Sequence, residues 1–235
     1  MTGIVSDSEA PRIEVLRRAS RTGKRLGVFA ASFNPPTIAH LELMRRAADR
    51  FSLGELLALA GVANADKSVY ESTLSDRLEM MLAASSEDPR ISVGVSSHAF
   101  YVDMVDALDD VYPDDTDLHF IIGFDTFERV LDPQDRYTVR YHRRFENRRE
   151  ALDYLFSRAK LIVANRAGSK QSDIERLLQH EPEAVRKGVL LLEFPEELTS
   201  CSATEVRKRI RGGVSISDLV PPEVESYIID RGLYR

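Results

Sequence analysis

Residues 26–40 read LGVFAASFNPPTIAH, an apolar run followed by a polar turn and the start of an amphipathic segment. The apolar run Leu26 to Ala31 predicts a buried strand, and the amphipathic segment Leu41 to Phe51 predicts a helix. Between them the chain turns sharply, so backbone N–H groups at the turn and at the helix start are left without partners. Because the helix dipole adds positive potential there, the turn is suited to bind an anion, with His40 facing it from the first helical turn.

Short apolar runs and longer amphipathic segments continue to alternate along the chain. Buried strands are predicted at Leu26–Ala31, Leu56–Val62, Ile91–Val95, Leu118–Gly123, Leu161–Ala164 and Val189–Phe194. Helices are predicted at Leu41–Phe51, Leu74–Ser85, Val102–Val111, Arg149–Arg158, Ile174–Leu178 and Thr204–Arg211. Strands that alternate with helices form a mainly parallel sheet with helices on both faces. We therefore predict a doubly wound α/β fold, in a single domain that spans residues 1–235.

Two segments depart from this alternation. Arg12 to Arg25 carries basic residues around a few apolar ones, which predicts a short amphipathic helix and hence a leading helical extension over residues 1–24. Asp132 to Arg149 is rich in Arg and Tyr with little periodicity, which predicts a long loop beside the carboxyl edge of the sheet. Because loops in that position often close over ligands, we expect residues 132–149 to form an active-site loop.

The composition argues against several classes of protein. A formal net charge of -6 argues against the nucleic-acid backbone as the main partner. The single cysteine, Cys201, excludes an internal disulfide and favours a reducing compartment. No apolar run is long enough to span a bilayer, and the first ten residues do not resemble a signal peptide. We therefore expect a cytoplasmic protein with neither a nucleic acid nor a membrane as its partner.

Ligands of open parallel sheets bind outside the carboxyl ends of the strands, where the strand order reverses. Three candidate sites fall at such ends: Ser32–His40, Gly123–Asp125 and Ser200–Arg207. In the last of these, Ser202 is a candidate N-cap, so Ser202, Thr204 and the first backbone amides would face an anion. Arg207 follows one turn later and is placed to reach back with its guanidinium group. The sequence thus predicts a second anion site in addition to the one at His40.

Taken together, the patterns SFxPxTxxH at residues 32–40 and SxTxxR at residues 202–207 resemble the paired signature of the nucleotidylyltransferase superfamily. Within it, the nicotinamide and nicotinate mononucleotide adenylyltransferases are the most similar. IIGFD at residues 121–125 resembles the family's GxD segment, and residues 161–168 resemble its strand that ends in Arg-x-Gly. Residues 220–234 resemble the closing helix of the bacterial enzymes.

This resemblance implies a Rossmann-like fold and the transfer of AMP from ATP to nicotinamide or nicotinate mononucleotide, with release of pyrophosphate. A phosphate oxygen of the acceptor attacks in line and needs no covalent intermediate, so catalysis rests on alignment and charge stabilisation. It implies His40 and Arg207 as the catalytic residues. Mg²⁺ is implied as a cofactor held mainly by the ATP phosphates, so no metal-binding residue is assigned. The implied partners are ATP and a pyridine mononucleotide, and a homo-oligomer is left open.

The resemblance also implies two sets of binding residues. The ATP contacts are Ser32, Phe33, Asn34, Thr37, His40, Gly123, Asp125, Ser202, Thr204 and Arg207, with Asp125 on a ribose hydroxyl. The contacts to the mononucleotide are Lys67, Phe124, Tyr137 and Arg166. The chain has no Trp, on which many family members stack the pyridine ring, so Phe124, Phe127 or Tyr137 would supply the aromatic face.

Several alternatives stay open at this stage. The acceptor is either form of the pyridine mononucleotide or, as the runner-up, another phosphorylated compound such as a pantetheine phosphate or a phospho-alcohol. A third hypothesis is a nucleotide-binding regulatory protein that has lost turnover, because Ala31 and Ala39 stand where family members have Gly and because Trp is missing. Arg77 is either a further substrate contact or part of a surface ion pair.

Overall fold

The computed structural model describes residues 10–61, 71–135, 144–165 and 171–235. Within these residues one sheet contains the strands β1 (Ile13–Arg17), β2 (Arg25–Ala31), β3 (Glu55–Gly61), β4 (Ile91–Ser96), β5 (Asp117–Gly123), β6 (Ala159–Ala164) and β7 (Val189–Leu192). Their order across the sheet is β1-β4-β3-β2-β5-β6-β7. Neighbouring strands run parallel except β1, which is antiparallel to β4. The predicted α/β class with a mainly parallel sheet is confirmed.

Helices follow most of the strands, as the alternating pattern predicts. They are α1 (Ile38–Phe51), α2 (Leu74–Ala84), α3 (Tyr101–Asp109), α4 (Phe124–Leu131), α5 (Arg148–Arg158), α6 (Gln171–Leu178), α7 (Glu183–Gly188), α8 (Ala203–Arg211) and α9 (Pro222–Arg231). A 3₁₀ turn, Glu196–Leu198, precedes α8. None of the helices within the described ranges combines the length and the apolar composition that a membrane span requires.

Two hydrophobic clusters lie on opposite faces of the sheet. Along β3, Leu56 and Ala58 belong to one cluster, and Leu57 and Leu59 belong to the other. This alternation follows because successive side chains of a strand point to opposite faces. The first cluster includes buried residues of α1, α2, α8 and α9, and the second includes those of α3 to α7. Burial on both faces explains why the strands appear in the sequence as continuous apolar runs.

The leading helix predicted over Arg12 to Arg25 is wrong. Residues 13–17 form β1, whose Ile13 and Val15 pack against the second cluster while Leu16 packs against the first. The apolar residues of β1 therefore repeat with a period of two. A segment with so few apolar residues does not distinguish this period from that of a helix. β1 pairs with the outer side of β4 and gives that strand a hydrogen-bonded neighbour. The first nine residues of the predicted extension lie outside the described residues.

The predicted loop over residues 132–149 includes residues 136–143, which lie outside the described residues. On its amino side the structure shows α4, a helix that the sequence analysis did not predict. On its carboxyl side α5 begins at Arg148, so the last residues of the segment are helical. Arg144 forms ion pairs with Asp103 and Asp106, which fastens this side of the segment to α3.

Candidate functional site

The strand order reverses between β2 and β5. β3 and β4 lie on one side of β2, whereas β5, β6 and β7 lie on the other. The paired register of β2 with β5 ends at Val28 and Phe120, although the two strands run on to Ala31 and Gly123. The sheet therefore has its switch point, where open α/β sheets bind their ligands, between the carboxyl ends of these two strands.

The turn that follows β2 is fixed by aromatic packing. Phe33 has φ 45°, a left-handed conformation that costs a non-glycine residue about 1–2 kcal/mol. Its ring is 1% exposed and lies edge-on to Phe29 and His40, with centroids 5.8 and 5.6 Å away. This packing stabilises the turn and holds the imidazole ring against it.

His40 is oriented by the N-terminal cap of its own helix. Thr37 is the N-cap of α1, and its hydroxyl accepts the His40 backbone N–H at 3.4 Å. In return the Thr37 backbone N–H donates to His40 Nδ1 at 2.9 Å, so a histidine completes the capping box. Because Nδ1 accepts this bond, the ring proton of neutral His40 is assigned to Nε2. Nε2–H is thus the group that His40 can donate to an anion.

The second predicted motif begins α8. Ser202 is the N-cap, as predicted, and its hydroxyl accepts the Glu205 backbone N–H at 3.2 Å. Thr204 is exposed in the first turn, and its hydroxyl accepts from Arg207 Nη2 at 3.4 Å. The basic side chain therefore folds back toward the start of its own helix, where the helix dipole also favours an anion.

The two motifs meet in space. Arg207 Nη1 donates to the backbone oxygen of Asn34 at 2.6 Å, which joins α8 to the turn after β2. A second link lies nearby, because the Ile38 backbone N–H at the start of α1 donates to Leu219 O at 3.0 Å. The sequence analysis predicted two anion sites, and the structure brings their residues to one place.

Glu71 is a site neighbour that the sequence analysis missed. Its carboxylate forms an ion pair with Arg207 Nε at 3.2 Å and another with Arg211. Asn34, Thr204 and Glu71 thus contact the Arg207 guanidinium from three directions and define its position. No local sequence pattern predicts this role for Glu71, because Glu71 and α8 approach each other only in the folded chain.

The N-terminus of α4 lies at the end of β5. Gly123 is its N-cap, and no side chain caps the helix. A Cβ placed on Gly123 would meet nothing within 4 Å, so the protein leaves open space beside this strand end. Asp125 is exposed in the first turn, and Phe124 is half-buried against the second cluster. This terminus therefore offers uncapped backbone N–H groups and one carboxylate.

Three of the predicted substrate contacts, Lys67, Tyr137 and Arg166, lie outside the described residues and stay predictions. Phe127, one of the three aromatics considered for stacking, is fully buried in the second cluster. Phe124 is the one of the three that the structure describes near the strand end.

Arg77 supports the turn from inside the protein. It is 2% exposed, and its Nη1 donates to Ser32 O at 2.9 Å and to Gly61 O at 3.1 Å. It therefore bridges the carboxyl ends of β2 and β3 from a buried position. The backbone oxygen of Ser32, a predicted ATP contact, accepts one of these two hydrogen bonds.

Asn34 takes part in a buried polar cluster. Its Oδ1 lies 2.6 Å from Ser72 Oγ and 2.9 Å from the Tyr234 hydroxyl, both of which donate to it. Burial raises the pKa of Tyr234 to about 12, so its hydroxyl keeps the proton that it donates. The side chains of Asn34 and Thr37, both predicted ATP contacts, are thus engaged within the protein.

The polar groups gathered here are mainly donors. An imidazole N–H, a guanidinium and the starts of three helices suit the oxygens of phosphate groups. Among the residues that the structure describes, no three His, Cys, Asp or Glu side chains lie together in a way that could hold a metal ion. The described donor set thus suits an anion better than a cation.

A doubly wound sheet that carries these donors at its switch point is suited to bind the phosphates of a nucleotide. The model of the cytidylyltransferase-like family matches residues 28–209. The chain belongs to this family, and the resemblance inferred from the motifs is confirmed.

Named relatives cover almost the whole chain. A protein of Gemmatimonas aurantiaca named "probable nicotinate-nucleotide adenylyltransferase" is 29% identical over 216 residues, covering 90% of this chain and 92% of its own length. A protein of Dehalococcoides mccartyi with the same name is 27% identical, covering 89% and 97%. The solved structure of Plasmodium falciparum nicotinic acid mononucleotide adenylyltransferase complexed with NaAD has a TM-score of 0.61 at 18% identity, covering 90% and 98%. That likeness supports the fold.

Proposed function

We propose that this protein transfers AMP from ATP to a pyridine mononucleotide, giving the dinucleotide and pyrophosphate. The observation that carries the proposal is the 2.6 Å contact between Arg207 Nη1 and Asn34 O, which unites the two motifs in one site. The names of the relatives favour nicotinate mononucleotide as the first acceptor to test. Nicotinamide mononucleotide is the second.

The proposed reaction is an in-line displacement. An oxygen of the acceptor's 5′-phosphate forms a bond to the α-phosphorus of ATP, and the bond from that phosphorus to the β-phosphate bridging oxygen breaks. The electron pair leaves with pyrophosphate, so negative charge grows on the leaving group. No protein nucleophile is needed because the attacking oxygen is already anionic.

The chain's own residues would hold the reacting groups and stabilise this charge. His40 donates from Nε2 and Arg207 from its guanidinium, in positions that the cap of α1 and the three contacts to Arg207 fix before ATP arrives. Ser202 and Thr204 would hold phosphate oxygens at the start of α8, and Asp125 would bind a ribose hydroxyl. The backbone of residues 32–34 and Gly123 would approach the nucleotide closely.

The acceptor would be bound by residues around the same edge. Phe124 is proposed to offer an aromatic face, with Lys67, Tyr137 and Arg166 as further contacts. Mg²⁺ would enter as part of the substrate, on the phosphates of ATP and on water.

The test is pyrophosphate release by the purified protein supplied with Mg·ATP and each pyridine mononucleotide in turn. Turnover with either acceptor is expected, and no turnover with both would overturn the substrate assignment. Release with a pantetheine phosphate or a phospho-alcohol, using ATP or CTP, would establish the runner-up. Calorimetric binding of ATP without turnover on any acceptor would indicate the regulatory protein.

A matched pair of histidine variants tests the site within the same assay. His40→Ala is expected to lower kcat by about 10²–10³-fold, because it removes a donor aimed at developing charge. His180→Ala is the control, since His180 is exposed beyond the end of α6. Equal activity of the two variants would show that His40 has no part in the reaction.

A further inference from the structure

The polar cluster around Asn34 contains a residue to which no role in the reaction has been given. Tyr234 lies three residues beyond α9 and is 4% exposed. Its hydroxyl is 2.9 Å from Asn34 Oδ1 and 3.1 Å from Ser72 Oγ. Ser72 in turn donates to the same Oδ1 at 2.6 Å. The side chain of Asn34 is thus held by hydroxyls from two distant segments.

The backbone of Asn34 contacts Arg207, the arginine proposed to bind phosphate. Its backbone oxygen accepts from Arg207 Nη1 at 2.6 Å, and the Arg207 side chain is only 15% exposed. The position of Asn34, together with Thr204 and Glu71, therefore helps to define where the guanidinium points. A shift of the turn would move the guanidinium away from a bound phosphate, and small displacements of a positioning group are costly to a reaction.

The Asn34 turn needs such support because its neighbour is strained. Phe33 has φ 45°, and a conformation of this kind persists only where the surroundings fix it. Arg77 holds the turn through Ser32 O, and the hydroxyls hold it through Asn34. The hydroxyls of Tyr234 and Ser72 both act on the side chain of Asn34, the residue whose backbone oxygen bonds to Arg207.

We propose that Tyr234 is a positioning residue for Arg207, acting through Asn34. This inference rests on the proposed function only in taking Arg207 as the residue that binds the ATP phosphates. It goes beyond that function because it assigns part of the site's geometry to the segment that follows the last helix. Tyr234 touches no reacting group and is not a catalytic residue.

Tyr234→Phe tests the proposal by removing the hydroxyl while keeping the buried ring. The matched control is Tyr227→Phe, since the Tyr227 hydroxyl bonds to Asp76 Oδ1 at 3.0 Å and to no residue of the turn. Tyr234→Phe is expected to weaken Mg·ATP binding or to lower kcat by about tenfold, the scale of one lost hydrogen bond in a buried network. Tyr227→Phe is expected to stay within about twofold of wild type.

A double-mutant cycle separates positioning from general loss of structure. In the Arg207→Lys background the effect of Tyr234→Phe should shrink to within about twofold, because the group that it positions is gone. Calorimetry of Mg·ATP binding in the absence of an acceptor supplies the free energies for this cycle, even if no acceptor is turned over. An equal effect of Tyr234→Phe in both backgrounds, or an effect no larger than that of Tyr227→Phe, would overturn the proposal.

A readout without any ligand completes the test. The Arg207 Nε–H resonance in ¹⁵N-labelled protein can be assigned from its loss in Arg207→Lys. It is expected to shift in Tyr234→Phe and to stay in place in Tyr227→Phe. An unchanged resonance in Tyr234→Phe overturns the positioning role, whereas failure of all acceptors with a shifted resonance overturns only the proposed function.

Discussion

The two edges of the sheet carry similar residue types and use them in opposite ways. At the amino edge, charged and polar groups are neutralised within the protein: Asp117 pairs with Arg25 and Lys160. At the carboxyl edge, His40 and Arg207 are held by contacts that orient them as donors, beside the starts of three helices. In parallel βα units all helix N-termini reach the carboxyl edge, so positive potential collects there. Position relative to the strand ends thus separates the proposed binding groups from the structural ones.

The largest expected effect on activity comes from replacing one arginine at each edge with alanine. Arg207→Ala is expected to lower kcat/KM for ATP by about 10²–10³-fold, because a donor to the leaving phosphates is lost. Arg90, at the amino edge, pairs with Asp88 and Asp49, and the hydrogen bonds that its guanidinium donates to Asp88 raise its pKa. Arg90→Ala should keep the activity of the folded enzyme. Steady-state kinetics at equal concentrations of folded protein compare the two variants. Equal losses of kcat/KM would contradict the proposed difference between the two edges.

The next effect concerns a buried carboxylate at the amino edge. Glu55 is 3% exposed, and its Oε1 accepts from Ser92 Oγ at 2.6 Å and from the Tyr112 hydroxyl at 2.7 Å. Glu55→Ala leaves both hydroxyls without this acceptor and should lower the free energy of unfolding by about 2–3 kcal/mol. Urea denaturation measures the loss. Glu55→Gln, which keeps an acceptor, should lose less, and an equal loss in both variants would contradict this account.

A smaller effect is expected at Gly123, where binding and stability should separate. A Cβ at this position meets nothing within 4 Å, and its φ of -84° is ordinary for any residue. Gly123→Ala should therefore lower the melting temperature only slightly, through the loss of a favourable N-cap residue, while the added methyl enters the space proposed for ATP and raises its KM by about tenfold. Thermal unfolding and ATP titration are the two measurements. An unchanged KM would show that the open space is not used by ATP.

The smallest expected effect is the pH dependence that His119 contributes. It is 3% exposed near the start of β5, and burial lowers its pKa below the ordinary value. The unfolded chain therefore binds this proton more readily. The neutral histidine's contribution to stability is complete above about pH 6.5 and is lost as the pH falls through the folded pKa. His119→Gln should flatten the unfolding free energy between about pH 7 and 5, and an unchanged slope would contradict the assignment.

Much of the fold could be predicted because burial on both faces leaves a continuous apolar signal. The strand predicted at Leu118–Gly123 differs from β5 by one residue, and Ser202 caps α8 as expected. The leading segment failed because five residues show too little of any period, and α1 begins earlier than predicted because a Thr–His box is an unusual cap. Local pattern is thus sufficient where an element is long and fully buried.

The site could be predicted only in part. The roles proposed for His40 and Arg207 follow from their motifs, but their placement in one site does not, because the contact at Asn34 joins residues far apart in the chain. Glu71 and Tyr234 lie outside both motifs and approach the turn only through the packing of α2 and α9. Such contacts depend on tertiary structure, and a single sequence carries no sign of them.

The capping box of α1 has a thermodynamic consequence. A mobile imidazole would lose rotational freedom when it binds a phosphate, and the free-energy cost of immobilising such a side chain is about 0.5–1.5 kcal/mol. Here Thr37 has already restricted the His40 ring through Nδ1, so this conformational entropy is lost when the helix forms and not when the nucleotide binds. The secondary structure itself thus prepares the ring for its ligand, and each binding event keeps more of its interaction energy.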